Sequence, residues 1–101
     1  MKTIWKFPFN VTDEVTLMVP RYAAFLPHVA TGGRRGRLAV WAEVEDDQPL
    51  VEHTLHVVGT DNDATAAFAA AEQYLGTCQD GPFVWHVYDA GQSSAAVGSD
   101  Q

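Results

Sequence analysis

Histidine, cysteine, arginine and clustered carboxylates are the residues of this 101-residue chain whose types and spacing could do chemistry. His53 and His56 stand three apart, a spacing that places two imidazoles on one face of a helix and could hold a metal. Val51 to Val58 alternates as a strand, however, which sends the two rings to opposite faces and makes them a poor pair. His28 and His86 lie in other segments, and His86, between Trp85 and Val87, reads as a hydrogen-bonded sheet residue. Cys78 could act as a nucleophile only beside a base in an electropositive setting, whereas acidic surroundings raise a thiol's pKa. It reads as a small, partly buried hydrophobe. No Ser-His-Asp or paired-carboxylate spacing is present, so the expectation is a protein with no catalytic residue, no metal and no cofactor.

Arg34, Arg35 and Arg37 share the loop Gly32-Gly33-Arg34-Arg35-Gly36-Arg37. Three guanidinium groups can grip a phosphate, and with Trp41 or Trp85 stacked on a base they would make a nucleotide-sequestering protein. The glycines do not form a phosphate loop, because no Gly-Lys-Ser/Thr follows and a strand comes next. The simpler expectation is a hairpin tip with solvated arginines.

The carboxylates give the stronger signal. All six Lys and Arg residues lie between Lys2 and Arg37, while eleven of the thirteen acidic residues lie from Glu43 to Asp100, for a net charge of −7. Carboxylates can replace phosphates in a basic channel, so this half of the chain suits a partner with a basic surface. The candidate contact residues are Glu43, Glu45, Asp46, Asp47 and Glu52, expected together on one hairpin, with Asp61 and Asp63 just beyond. Direct binding of nucleic acid is not expected, because only the Arg34 to Arg37 loop is cationic and Trp5, Phe7, Trp41, Phe83 and Trp85 recur at the spacing of a sheet core.

These residues must be positioned by short strands. Thr3 to Phe7, Val15 to Val19, Leu38 to Glu45 and Val51 to Val58 alternate, and Tyr74 to Gln79 and Pro82 to Tyr88 flank the turn Asp80-Gly81. Pro8 ends the first strand, and Pro27 breaks a segment from Ala23 to Thr31. Asp46-Asp47-Gln48-Pro49 predicts a hairpin pairing Leu38 to Glu45 with Val51 to Val58. Asp61-Asn62-Asp63 caps an Ala-rich helix over about Asp63 to Gln73. The expected fold is α+β: an antiparallel, curved sheet of about five to six strands in meander order, with one short helix before the last hairpin. Residues 1–90 form one domain and residues 91–101 a disordered polar tail. A chain of this length buries roughly two thirds of its unfolded surface and needs no disulfide, which fits a single Cys78 in a reducing compartment. The start resembles no signal peptide and no apolar run spans a bilayer, so a cytoplasmic protein with no membrane contact is expected.

The opening Lys2-Thr3-Ile4-Trp5-Lys6-Phe7-Pro8, the central Leu38-Ala39-Val40-Trp41-Ala42, and the closing Tyr74-Leu75-Gly76-Thr77-Cys78 and Phe83-Val84-Trp85-His86-Val87-Tyr88 resemble a family of small uncharacterised proteins of phages and their bacterial hosts. The resemblance spans most of residues 2 to 89 and departs in the Ala-rich segment from Ala64 to Ala71 and in the tail. It brings no activity and no site residue with it. It implies a phage-type protein inside a bacterial cell, and hence a non-enzymatic acidic inhibitor of a host defence complex, CRISPR-type or otherwise nucleic-acid-handling. The partner is then a host protein or ribonucleoprotein with a basic surface; a phage accessory or structural protein without inhibitory role is the other possibility.

Overall fold

A computed structural model describes residues 1–92. Alternation places one row of side chains of each strand inward. In β1 (Lys2–Asn10) the inward row ends in Phe7 and Phe9; in β4 (Arg37–Glu45) it is Leu38, Val40, Ala42 and Val44. The strands β2 (Glu14–Pro20), β3 (Ala24–Thr31) and β5 (Leu50–Gly59) contribute Val15, Val19, Phe25, Val29, Val51, Leu55 and Val57 to the same core. A short α1 (Thr65–Ala70) precedes β6 (Gln73–Asp80) and β7 (Phe83–Gln92), which add Leu75 and Val87.

These strands make two antiparallel sheets, β1-β4-β3 and β2-β5-β7-β6. The protein is therefore nearly all-β, with 66% strand and 7% helix among the described residues, not α+β with a single sheet. The Ala-rich segment accounts for the difference: its helix has six residues and buries only Ala67, too little apolar surface to cover a sheet. Seven strands replace the expected five or six, because the segment broken at Pro27 still pairs with β4 on both sides of it, at Phe25 opposite Ala42 and Val29 opposite Val40. Pro8 does not end β1 either. Among the described residues that strand is hydrogen-bonded only to β4, and such an edge tolerates the missing N–H.

The expected hairpin of β4 with β5 does not form. Strand β4 lies between β1 and β3, and β5 between β2 and β7, so the residues from Asp46 to Pro49 carry the chain from one sheet to the other. Both strands carry an inward row, interrupted on β5 only by His53, and rows in separate sheets can cover each other in one core. The meander order fails for the same reason. Only β3 with β4 and β6 with β7 pair as consecutive strands.

On one side the two sheets meet edge to edge, with β3 beside β6. Gly76 permits this approach: a Cβ there would lie 3.2 Å from Val29 Cγ2. Of the expected tail, Gly91 and Gln92 belong to β7, and the remainder lies outside the described residues. We predict that Gly76→Val destabilises the fold by about 1–3 kcal/mol in urea unfolding, as overpacking does, and that adding Val29→Ala recovers part of the loss. Unchanged stability in the single variant would contradict the edge contact.

Candidate functional site

The crossing between sheets divides the predicted carboxylates. Glu43 and Glu45 project from the outer face of β4, where Ile4 and Lys2 stand opposite them on β1, and Asp46 and Asp47 follow in the turn. The Met1 amino group donates to Asp46 Oδ1 at 3.0 Å and lies 3.9 Å from Glu45 Oε1; the bond to Asp46 raises the pKa of this amine. Glu52 belongs to the other sheet, opposite Met18. Asp61 and Asp63 lie past the far end of β5, ten residues long and so about 30 Å away. The seven acids form two groups at opposite ends of the molecule instead of one hairpin surface.

Beside Glu43 and Glu45 a cleft of about 750 Å³ opens on the outer face of the three-stranded sheet. Ile4, Tyr22 and Ala24 supply its apolar lining, with Lys2 at its side. Ile4 on β1 and Tyr22 in the β2–β3 turn are exposed at 56% and 74%.

The arginine loop does connect two strands, β3 and β4, but it is tied down at its base. Buried Asp80 accepts hydrogen bonds from Gly36 N at 2.8 Å and from Trp85 Nε1 at 3.3 Å. Arg35 lies against the β6–β7 turn at Gly81, whereas Arg37 Nη1 donates to Asn10 Oδ1 on β1. Arg34 remains exposed. The three side chains have different neighbours and do not converge. Trp85 is held by Asp80, and Trp41 lies under Lys6 and beside His28 on the other sheet's outer face.

His53 and His56 do face opposite ways. His53 points inward, and its Nε2 donates to Asp89 Oδ1 at 2.5 Å inside the core. A glycine at φ +90, Gly91, makes the bulge in β7 that turns Asp89 toward His53, and Gly91 N donates to the same carboxylate oxygen. Phe25 packs on the His53 ring, whose Nδ1 has no hydrogen-bond partner among the described residues. This pair was not foreseen, because an inward Asp on a strand reads as a break in the apolar row until its partner is known. It lines neither cleft, and the Cys78 thiol donates elsewhere, to the Gln79 carbonyl. Burial, reinforced by Asp80, raises the Cys78 pKa, so the thiol stays protonated at neutral pH.

On the outer face of the four-stranded sheet lie His56 and His86. His56 lies opposite Glu14 on β2 and Tyr88 on β7, and Tyr74 continues the row on β6. In the next row His86 bonds Thr60 Oγ1 and Thr77 Oγ1, each at 2.8 Å, and Tyr74 OH bonds the same Thr77 hydroxyl. A regular strand would put Tyr74 and Thr77 on opposite faces; the bulge between Tyr74 and Gly76 puts both outward. Phe68 of α1 meets Tyr88 edge-on, and a second pocket of about 280 Å³ opens between helix and sheet. Among the described residues, no three His, Cys, Asp or Glu side chains gather to hold a metal, and no helix is long and apolar enough to cross a membrane.

Fold and surface together define a small two-sheet antiparallel β-protein with an acid-rimmed cleft on one sheet and an aromatic pocket on the other. The family model described as a domain of unknown function, DUF7352, matches residues 1–96, and the chain belongs to that family. Comparison with curated proteins and with solved structures gave no match.

Asp63 precedes the helix N-cap, Ala64, and its Oδ1 accepts from Thr65 Oγ1 at 2.7 Å and Thr65 N at 2.9 Å. These bonds favour the carboxylate and lower its pKa below the ordinary 3.8. The folded-state value being the lower one, the contribution to stability is present above pH 3.8 and is lost as pH falls through the folded value. An NMR titration should therefore place the Asp63 midpoint below 3.8, and Thr65→Ala should raise it. A midpoint that ignores Thr65 would contradict these bonds.

Proposed function

We propose that this protein is a binding module without catalytic activity, which seats a basic segment of a macromolecular partner in the cleft beside Glu43 and Glu45. The observation that carries the reading is the composition of that cleft: an apolar lining of Ile4, Tyr22 and Ala24 beside two carboxylates. An apolar centre with a charged rim is the anatomy of a protein–protein contact. Lys2 and the Met1 amine partly neutralise the rim, so a cationic partner binds by taking their place. The net charge of −7 draws such a partner in and repels nucleic acid.

The partner class that fits is a protein or ribonucleoprotein whose basic surface normally holds phosphates. The likeness of the opening and closing motifs to phage and bacterial proteins supports a host defence complex in the bacterial cytoplasm, with this protein as its inhibitor. Asp46 and Asp47 extend the contact from the rim; Asp61 and Asp63 lie too far along β5 to share it. Nucleotide sequestration by Arg34, Arg35 and Arg37 gains no support from side chains with separate neighbours.

The test is affinity capture from bacterial lysate with the native chain and a folded Glu43→Lys/Glu45→Lys variant in parallel. The expected result is one basic protein or complex held by the native chain, released between about 0.1 and 0.5 M salt, and bound at least about tenfold more weakly by the variant. Equal capture by both proteins would remove the cleft as the contact.

A further inference from the structure

The pocket on the four-stranded sheet lies at the other end of the molecule from that cleft, and its chemistry stands independently of the proposed function. Two of its walls are aromatic: Phe68 and Tyr88 have ring centroids 5.5 Å apart and planes inclined at 74°, which makes a corner of two π-surfaces. Tyr74 backs Tyr88 at 5.3 Å. Phe68 is 62% exposed although it is the largest side chain of α1, so much of the ring is presented to solvent even as it meets Tyr88. Thr60, Asn62 and His86 supply polar edges, and Asp61 supplies a carboxylate.

The electrostatics select among ligands. No Lys or Arg lines the pocket, and none occurs anywhere after Arg37 in the chain. An anion would meet Asp61 with nothing to balance its charge. An uncharged apolar group would leave that carboxylate unused. A cation instead gains from both features, because aromatic faces attract positive charge within about 6 Å of the ring centroid. At about 280 Å³ the pocket has room for one compact head group and not for a nucleotide. His86 serves as a fixed wall: Thr60 and Thr77 occupy its two ring nitrogens, and Tyr74 bonds Thr77 in turn. The bulge in β6 that brings Tyr74 and Thr77 to one face thus stiffens this side of the pocket.

We propose that the pocket formed by Phe68, Tyr88, His86 and Asp61 is a binding site for an organic cation, an alkylammonium or guanidinium head group. Such a group arrives either as a free small molecule or on an arginine side chain of a partner. The two sources share the recognition chemistry, and the probes separate them.

The experiment is a titration of the native protein, followed by amide chemical shifts, with choline, with Nα-acetyl-arginine methylamide, and with 3,3-dimethyl-1-butanol, the uncharged counterpart of choline. Saturable shifts at Thr60, Phe68, His86 and Tyr88 are expected with a cation and not with the alcohol. Tighter binding of choline assigns a free small cation; tighter binding of the arginine derivative assigns a partner side chain. Phe68→Leu, which keeps an apolar group on an exposed position, should weaken binding about threefold to fivefold, and Asp61→Asn should weaken it as well. The Glu43→Lys/Glu45→Lys variant should leave these shifts intact, so failure of the cleft and failure of this site are read separately. Absence of shifts with both cations, or equal shifts with the alcohol, would overturn the proposal.

Discussion

The placement of every surface feature in this protein depends on β4 and β5 lying in separate sheets whose inward rows share one core. Each strand carries an unbroken inward row: Leu38, Val40, Ala42 and Val44 on one, and Val51, Leu55 and Val57 on the other, with His53 within it. Side by side in one sheet, those rows would still need a second layer to cover them. Packed across a sandwich, they cover each other, and the short segment from Asp46 to Pro49 is long enough to make the crossing. Gln48 N closes that turn onto the Glu45 carbonyl, and the Pro49 carbonyl accepts from Arg21 N, which fixes the exit toward β5.

The polar contents follow from the same constraint. A sandwich of nearly all strand has two outer faces, and local irregularities decide what they display. The β6 bulge brings Tyr74 and Thr77 to one face, while Gly91 lets Asp89 reach the buried His53. Buried Asp80 performs a similar service at the far end, where it gathers the arginine loop and the Trp85 indole onto the β6–β7 turn. A buried hydrogen-bonded carboxylate of this kind is costly to leave unpaired, so each one specifies the local geometry.

Much of this could be read from residues. The alternation of Leu38 to Glu45 and of Val51 to Val58, the turn at Asp80-Gly81, the hairpin tip at Gly32 to Arg37 and the opposite facing of His53 and His56 all rest on short-range rules that tertiary packing leaves intact. What failed was long-range. A turn of Asp-Asp-Gln-Pro looks the same whether the next strand pairs with the last or crosses to another sheet, so the expected β4–β5 hairpin, which would place Glu52 with Glu43 and Glu45, does not form. The Ala-rich segment has helical propensity, yet only six residues of it are helical before β6 begins at Gln73, which changes the fold class. Neither the His53–Asp89 pair nor the pocket under Phe68 had a local signal, because both join residues more than fifteen positions apart.

The most direct test of the account is therefore the neighbourhood of β5, measured as backbone NOEs in solution. The account predicts cross-strand contacts of Thr54 with Thr16 and of Val57 with Val87, and none between β5 and β4. Contacts linking Val44 to Val51 would restore the hairpin, bring Glu52 opposite Glu43, and contradict both the sandwich and the separation of its two clefts.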